Sequence, residues 1–86
     1  MFKPHFTSSP TKKATEALQS MKELYGHFKL GQASHIVTLG GDGHMLKTLH
    51  KHKETQLPIF GMNRGNFGFL MNHFEEKNLI ERINQP

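Results

Sequence analysis

Three glycines and an aspartate stand together in the run Gly40-Gly41-Asp42-Gly43. Glycine has no Cβ, so a backbone rich in it can turn sharply and approach a ligand closely. Where a strand delivers such a turn to a helix, free N–H groups and the helix dipole favour phosphate. Asp42 is the only aspartate of the chain. Because a carboxylate repels phosphate, its presence indicates a general base or a metal-orienting group, and the run predicts a nucleotide-handling site.

The glycine run does not match either of the common phosphate-binding motifs. It lacks the Gly-Lys-Ser/Thr ending of a P-loop, and it lacks the third glycine of the dinucleotide fingerprint G-x-G-x-x-G. Considered alone, it is also compatible with a tight surface turn. A metal site formed by His44, His50 and His52 is disfavoured, since His50 and His52 point about 200° apart on one helix.

A second loop, Asn63-Arg64-Gly65-Asn66-Phe67-Gly68, follows another short apolar segment over residues 58–62. Ligands of parallel α/β sheets bind beyond the carboxyl ends of the strands. Because both loops follow predicted strands, we expect them at the same edge of one sheet. Arg64 is compatible with phosphate pairing, although an exposed loop arginine is the favoured interpretation.

The segments that precede the glycine run predict a strand and a helix. The strand is predicted over residues 2–7, with Pro4 indicating an edge or an irregular start. Ser9 is the predicted N-cap, with Pro10 at the first helical position, and Gly26 is the predicted C-cap. The apolar face of this helix contains Ala14, Ala17, Leu18, Met21, Leu24 and Tyr25.

The remaining segments continue the alternation of strands and helices. Residues 36–39 are β-branched and apolar, as in a buried parallel strand. A helix over residues 44–53 should bury Met45, Leu46 and Leu49, and a strand over residues 58–62 follows. Asn72 and Glu75 resemble a capping box before a last helix. The order β-α-β-α-β-loop-α predicts an α/β fold with a parallel sheet and right-handed crossovers.

Length and composition restrict the possible classes of protein. At 86 residues the chain is one small domain, and its net charge of +4 suits phosphate-bearing ligands. The sequence lacks a basic stripe with interleaved aromatic residues, which is the pattern that would indicate nucleic-acid binding. No apolar run reaches the roughly 18 residues of a membrane span. With no cysteine and no secretory signal, the expected location is cytoplasmic. A three-stranded sheet with one unpaired edge should be poorly stable or prone to associate.

The two glycine loops together resemble the NAD kinase family. The resemblance is carried by Leu39-Gly40-Gly41-Asp42-Gly43-His44-Met45-Leu46 and by the segment from Pro58 to Leu70. Gly-Gly-Asp-Gly is also found in lipid kinases and 6-phosphofructokinases. The second element, Gly-x-Asn-x-Gly-x-x-Gly-Phe-Leu, resembles NAD kinases and differs from the equivalent segments of those relatives. His44 departs from the pattern, because threonine or an aromatic residue is common there.

The resemblance implies transfer of a phosphoryl group from ATP or polyphosphate to the 2′-hydroxyl of the adenosine ribose of NAD, giving NADP. It makes Asp42 the proton acceptor and implies a divalent cation, Mg²⁺, without a visible protein metal site. Lys47 matches a basic position near the ligand, and Phe69 matches a position that lines the adenine pocket. A solvated lysine and a core aromatic residue are the respective alternatives. The nucleotide-binding residues implied are Gly40, Gly41, Asp42, Gly43, Lys47, Asn63 and Phe69.

The resemblance also implies a partial domain structure. Residues 1–86 would form a Rossmann-like, three-layer α/β nucleotide-binding domain, the N-terminal portion of a longer enzyme whose second, β-rich domain is missing. The isolated chain is then expected to have little or no kinase activity, and the full-length enzyme to be a homo-oligomer. The phosphoryl donor, the acceptance of NADH and the number of subunits stay open.

Two other function classes are compatible with the residues. One is a non-catalytic nucleotide-binding or interaction module that retains the phosphate loop without the chemistry. The other is a lipid or sugar kinase relative, from which residues 63–70 separate this chain.

Overall fold

The fold is a three-stranded parallel sheet with helices on both faces. A computed structural model describes residues 1–65 and 71–84. The elements in chain order are β1 (Pro4–Ser8), α1 (Lys12–Tyr25), a short 3-10 helix (Leu30–Gln32), β2 (His35–Gly40), α2 (Asp42–Lys51), β3 (Ile59–Asn63) and α3 (Leu79–Ile83). The strands pair in the order β1-β2-β3, both pairs parallel. The predicted α/β fold with a short parallel sheet is confirmed.

The helices divide between the two faces because neighbouring strand residues point to opposite sides. Val37 and Leu39 face α1 and α3 and belong to the main core cluster with Met21 and Leu79. Thr38 faces α2, where its hydroxyl lies 3.3 Å from that of Thr48. The result is three layers, with α1 and α3 on one face and α2 on the other.

The connection from β1 to β2 contains more than helix α1. Helices α1 and α2 lie on opposite faces of the sheet, and the right-handed crossovers stay a prediction. After α1 the chain first runs along the outer edge of β1, where Phe28 N–H donates to Pro4 O at 3.0 Å. It passes through the 3-10 helix before it enters β2.

Both edges of the sheet are partly covered. Phe6 N–H donates to Nδ1 of His27 at 3.2 Å on the outer side of β1. On the outer side of β3, Asn63 N–H donates to Asn72 O and Asn72 N–H donates to Gly61 O, at 2.8 and 2.9 Å. The unpaired edge expected from three strands is therefore protected where these segments pair with it.

The predicted starts of α1 and α3 are displaced. Helix α1 is capped by Thr11, whose side chain accepts from Ala14 N–H, and not by Ser9. The N–H of Ser9 is instead bonded to Leu39 O at 2.9 Å, which extends the contact between β1 and β2. Helix α3 begins after Asn78, because Asn72 is held by β3 and does not act as a cap. The C-cap at Gly26 is confirmed, with φ of 78°.

The predicted burial of α2 is correct at one position of three. Met45 is buried, whereas Leu46 and Leu49 are 55% and 41% exposed. The second buried residue of α2 is Thr48. Its hydroxyl donates to His44 O at 2.8 Å, so this buried polar group has its hydrogen-bond partner within the helix. Only a narrow stripe of α2 contacts the sheet.

Candidate functional site

The glycine run forms the junction between β2 and α2. Gly40 is the last residue of β2, Gly41 is the N-cap of α2, and Asp42 is its first helical residue. The carboxylate therefore stands in the first turn of a ten-residue helix, where the helix dipole favours negative charge. Asp42 is half-buried and lies at the edge of the fold, not in its core.

The second loop meets the first at this edge, as predicted. Gly40 and Asn63 form the last register pair of β2 and β3. One residue further on, Arg64 N–H donates to Gly40 O at 2.8 Å. The carboxyl ends of the two strands thus bring both loops into direct backbone contact.

The glycines of the two loops are required for different reasons. A Cβ on Gly65 would lie 2.9 Å from Gly41 Cα, so a side chain there would force the two backbones apart. A Cβ on Gly40 would lie 3.1 Å from both His44 Cβ and Ser9 Oγ. At Gly43 the same atom would meet nothing within 4 Å. Gly43 therefore leaves open space beside Asp42, while Gly40 and Gly65 permit close packing.

Asn63 shapes the second loop. Its side-chain Oδ1 accepts from Gly65 N–H at 3.0 Å, which is the local turn that asparagine favours. This bond holds Gly65 in the position from which it contacts Gly41. The nucleotide-binding role of Asn63 stays a prediction.

His44 and Lys47 extend the site along α2. Lys47 is exposed one turn into the helix. Burial, and secondly the positive charge of Lys47, lower the pKa of His44, so its imidazole is favoured as the neutral form near pH 7. Among the described residues, its Nε2 atom is buried and has no hydrogen-bond partner. In the sequence, His44 follows the glycine run directly, which was a visible signal that it lies near the site.

Arg64 is not the exposed loop residue that the sequence favoured. It is half-buried, and its guanidinium Cζ lies 4.2 Å from the centroid of the Phe74 ring. The two side chains line a cleft of about 260 Å³ against α1, together with Lys13, Glu16, Ala17, Ser20 and Glu76. Sequence spacing gave no sign of this pairing.

The predictions for the adenine pocket, a metal site and a membrane span concern other parts of the chain. Phe69 lies outside the described residues, so its predicted place in an adenine pocket is not tested. Residues 1–65 and 71–84 contain no group of three histidine, aspartate or glutamate side chains that could hold a metal ion. Within the same residues, no helix has both the length and the apolar composition needed to cross a membrane.

Sequence comparison decides the family. The model of the family described as "ATP-NAD kinase N-terminal domain" matches residues 2–85. The chain belongs to the NAD kinase family. The predicted family is confirmed, and the two glycine loops that carried the resemblance are the two that meet at the carboxyl edge of the sheet.

Several bacterial NAD kinases are similar to this chain. The NAD kinase of Brucella suis biovar 1 is 52% identical over 79 residues, which are 92% of this chain and 31% of that protein. The NAD kinase of Cereibacter sphaeroides strain ATCC 17025 is 49% identical over 78 residues, or 91% and 31% of the two chains. That of Caulobacter vibrioides is 48% identical over 79 residues, or 92% and 30%. The chain therefore spans about 31% of the length of the first of these relatives.

Proposed function

We propose that this chain supplies the Asp42 side of an NAD kinase active site. The reaction would transfer a phosphoryl group from ATP or polyphosphate to the 2′-hydroxyl of the adenosine ribose of NAD, with NADP as product. The observation that supports it most directly is the contact between the two glycine loops, which holds Asp42 at the rim of the sheet. Membership of the NAD kinase family gives the substrate class.

The proposed role of Asp42 is that of general base. Phosphoryl transfer depends chiefly on orienting the nucleophile and balancing charge. A carboxylate in the first turn of α2 would accept a hydrogen bond from the ribose hydroxyl and take its proton as the new P–O bond forms. Asp42 is half-buried, so part of the residue remains exposed to a ligand.

The remaining predicted site residues would bind the nucleotide. Gly43 has room for a ligand to approach its backbone, since a Cβ there would meet nothing within 4 Å. Lys47 presents an exposed positive charge one turn along α2, in reach of a phosphate held at the helix start. Gly40 and Gly41 would offer close backbone approach. Asn63 and Phe69 complete the proposed set.

The proposal includes a phosphoryl donor, ATP or polyphosphate, and a divalent cation, Mg²⁺. ATP and polyphosphate present the same terminal phosphoryl group, so the described residues do not separate them. Mg²⁺ would neutralise charge on the phosphates of the donor. The described residues contain no group of three metal-ligating side chains, and no step is assigned to Mg²⁺.

The organisation of the full-length enzyme is likewise proposed. Residues 1–86 would act as an N-terminal α/β nucleotide-binding domain that is completed by a second, β-rich domain. The relatives exceed this chain about threefold in length, which supports this division. Little or no activity of residues 1–86 alone, a homo-oligomeric full-length enzyme and a cytoplasmic location belong to the same proposal. Neither the family match nor the relatives support a lipid or sugar kinase or a non-catalytic module.

The proposal can be tested in a chimera. This chain replaces the aligned 79-residue segment of the Brucella suis NAD kinase, and NADP formation is measured with ATP and with polyphosphate. The chimera should be active. Asp42→Asn should lower kcat by roughly 10²–10⁴-fold with NAD binding nearly unchanged, as expected on loss of a general base. Glu54→Gln, an exposed carboxylate change in the loop after α2, is the matched control and should leave kcat unchanged.

Two results would overturn this assignment. A folded chimera that binds NAD but forms no NADP would contradict the kinase function of this chain. An Asp42→Asn chimera that retains more than about a tenth of the activity would contradict the general-base role. In parallel, NADP formation by residues 1–86 is measured with and without the separately added C-terminal part of the relative. Activity only in the mixture would show that this chain needs the second part of the enzyme.

The open space at Gly43 allows a second test. Gly43→Ala should fold normally, since alanine is the better helix former by about 1 kcal/mol. It should nevertheless raise the KM for nucleotide, because the new methyl group occupies the space beside Asp42. Gly31→Ala is the matched control, since a Cβ there also meets nothing within 4 Å. Equal kinetics for the two variants would contradict ligand approach at Gly43.

A further inference from the structure

The side chain of Arg64 is held by an aromatic ring. Its guanidinium Cζ lies 4.2 Å from the centroid of Phe74, a distance at which a cation is attracted to the ring face. The Nε atom is buried, and among the described residues it has no hydrogen-bond partner. Phe74 is itself packed against the main core. Within the part of the chain that the structure describes, Arg64 is therefore anchored to the core through a ring and not through an ion pair.

The backbone of Arg64 is held by the first loop. Its N–H donates to Gly40 O at 2.8 Å, and the next residue, Gly65, lies against Gly41 so closely that a Cβ would be 2.9 Å from Gly41 Cα. Gly41 is the N-cap of α2, directly before Asp42. A continuous set of contacts thus runs from Phe74 through Arg64 and Gly65 to the start of α2.

We propose that Arg64 is a positioning residue: its stacking on Phe74 holds Gly65 against Gly41 and so sets the orientation of Asp42. The stacking holds residue 64 from the side of α1, and the Gly40 carbonyl holds it from the side of the sheet. Without the stack, one anchor of the loop is lost, and Gly65 is free to move away from Gly41. The effect on turnover rests on the proposed function, whereas the effect on the shape of the turn does not.

The surroundings of the guanidinium favour this role over direct phosphate binding. The cleft that Arg64 lines also contains the carboxylates of Glu16 and Glu76 beside the ammonium of Lys13. Two carboxylates oppose the binding of a phosphate in that cleft. The aromatic ring, by contrast, satisfies a cation without needing a ligand.

A double-mutant cycle tests the proposal. In the chimera, Arg64→Met and Phe74→Leu should each lower kcat by roughly 10–100-fold, with KM for NAD changed by no more than about twofold, because a displaced catalytic group loses rate and not uniform binding. The double variant should be no worse than either single variant. Arg64→Lys, which keeps a cation over the ring, should restore part of kcat.

The chain offers a matched control in a second arginine. The Cζ of Arg82 lies 5.6 Å from the centroid of the Phe60 ring, and Arg82 Nη2 donates to His73 O at 2.6 Å. Within the described residues, these contacts of Arg82 involve neither glycine loop, so Arg82→Met should leave kcat unchanged. In the 86-residue chain, amide NMR resonances of Gly41 and Asp42 should shift on Arg64→Met and Phe74→Leu and stay in place on Arg82→Met.

The outcomes separate this inference from the proposed function. Unmoved Gly41 and Asp42 resonances in a folded Arg64→Met chain would overturn the positioning role even if the chimera is active. A chimera without NADP formation would overturn the kinase function, while the NMR comparison would still decide whether Arg64 sets the turn. Additive losses in the double variant, with a raised KM for ATP on Arg64→Met alone, would instead show direct binding of the donor and overturn the inference.

Discussion

On one face of the sheet, α1 and α3 cover a contiguous core to which strands and helices both contribute. The buried side chains of that core are Phe6, Ala17, Met21, Val37, Leu39, Met62 and Leu79. On the other face, α2 covers Ile36 and Thr38 with two buried residues, Met45 and Thr48, and leaves two leucines exposed. The first face therefore buries far more apolar side chain than the second.

This difference separates stability from the proposed chemistry. Helix α2, which presents Asp42 and Gly43, is attached to the sheet by a narrow stripe, and its start is fixed by backbone contacts between the two glycine loops. The face of α1 and α3 supplies most of the hydrophobic stabilisation, which grows with the apolar area removed from water. Substitutions on the two faces should accordingly differ in the size of their effects.

The largest stability effect is expected at Met21. It is fully buried between α1 and the sheet, so Met21→Ala should lower the free energy of unfolding by about 2–5 kcal/mol. Met45→Ala on the other face should lower the free energy of unfolding by less, roughly 1–3 kcal/mol, because fewer apolar side chains are buried under α2. Denaturant titration of both variants measures the two values. A greater loss for Met45→Ala would contradict the comparison of the faces.

A methyl group at Gly61 tests how tightly α2 is packed. The added Cβ would lie 2.8 Å from the Sδ atoms of Met45 and Met71, so Gly61→Ala should cost about 1–3 kcal/mol through overpacking. Combining it with Met45→Ala should cost less than the sum, since the smaller side chain makes room for the methyl group. Gly31→Ala, with nothing within 4 Å, is the control. Strict additivity would show that the two positions do not touch.

The exposed leucines of α2 should matter little to folding. Leu46→Gln and Leu49→Gln should each change the free energy of unfolding by no more than about 0.5 kcal/mol, as is usual for surface positions. Leu24→Gln on α1, which is 58% exposed, is the matched control on the other face. Thermal and denaturant unfolding of the three variants would check this. A loss of several kcal/mol at Leu46 or Leu49 alone would mean that α2 is buried more deeply than described here.

Acidification should act at the outer edge of β1 and on α2, with the smallest effect. Burial first, and then Lys22 and His5, lower the pKa of His27; burial and then Lys47 lower that of His44. A lowered folded-state pKa means that the unfolded chain binds more protons, so stability is complete above the ordinary pKa of 6.5 and falls as the pH drops below it. Nδ1 of His27 accepts from Phe6 N–H, a bond that its protonation would break.

Two variants assign this pH dependence to the outer edge of β1 or to α2. His27→Asn retains a side-chain acceptor that does not titrate, and His44→Asn removes the titrating group on α2. Between pH 7 and pH 5 the unfolding midpoint of the unsubstituted chain should fall, and each variant should make that fall smaller. An unchanged slope in both variants would assign the pH dependence to other groups, of which His52 also has a lowered pKa.

Most of the fold was predictable because it follows from local patterns. Alternating strand and helix signals gave the element order, and the position of each loop after a strand placed both loops at one edge. The helix starts were wrong where tertiary bonds compete with local capping: Ser9 is bonded to β2, and Asn72 is bonded to β3. The burial of Leu46 and Leu49 was wrong because periodicity identifies an apolar face but not the element that covers it.

The sequence by itself determined the family, the glycine run with its single aspartate and the alternation that places this run between a strand and a helix. Only the tertiary structure decided that Gly65 touches Gly41, that Arg64 stacks on Phe74 and that α1 and α2 lie on opposite faces. Residue type and spacing govern local backbone preference, which is why they predict turns and elements. Contacts between residues distant in sequence depend on the path of the chain, which no local pattern specifies.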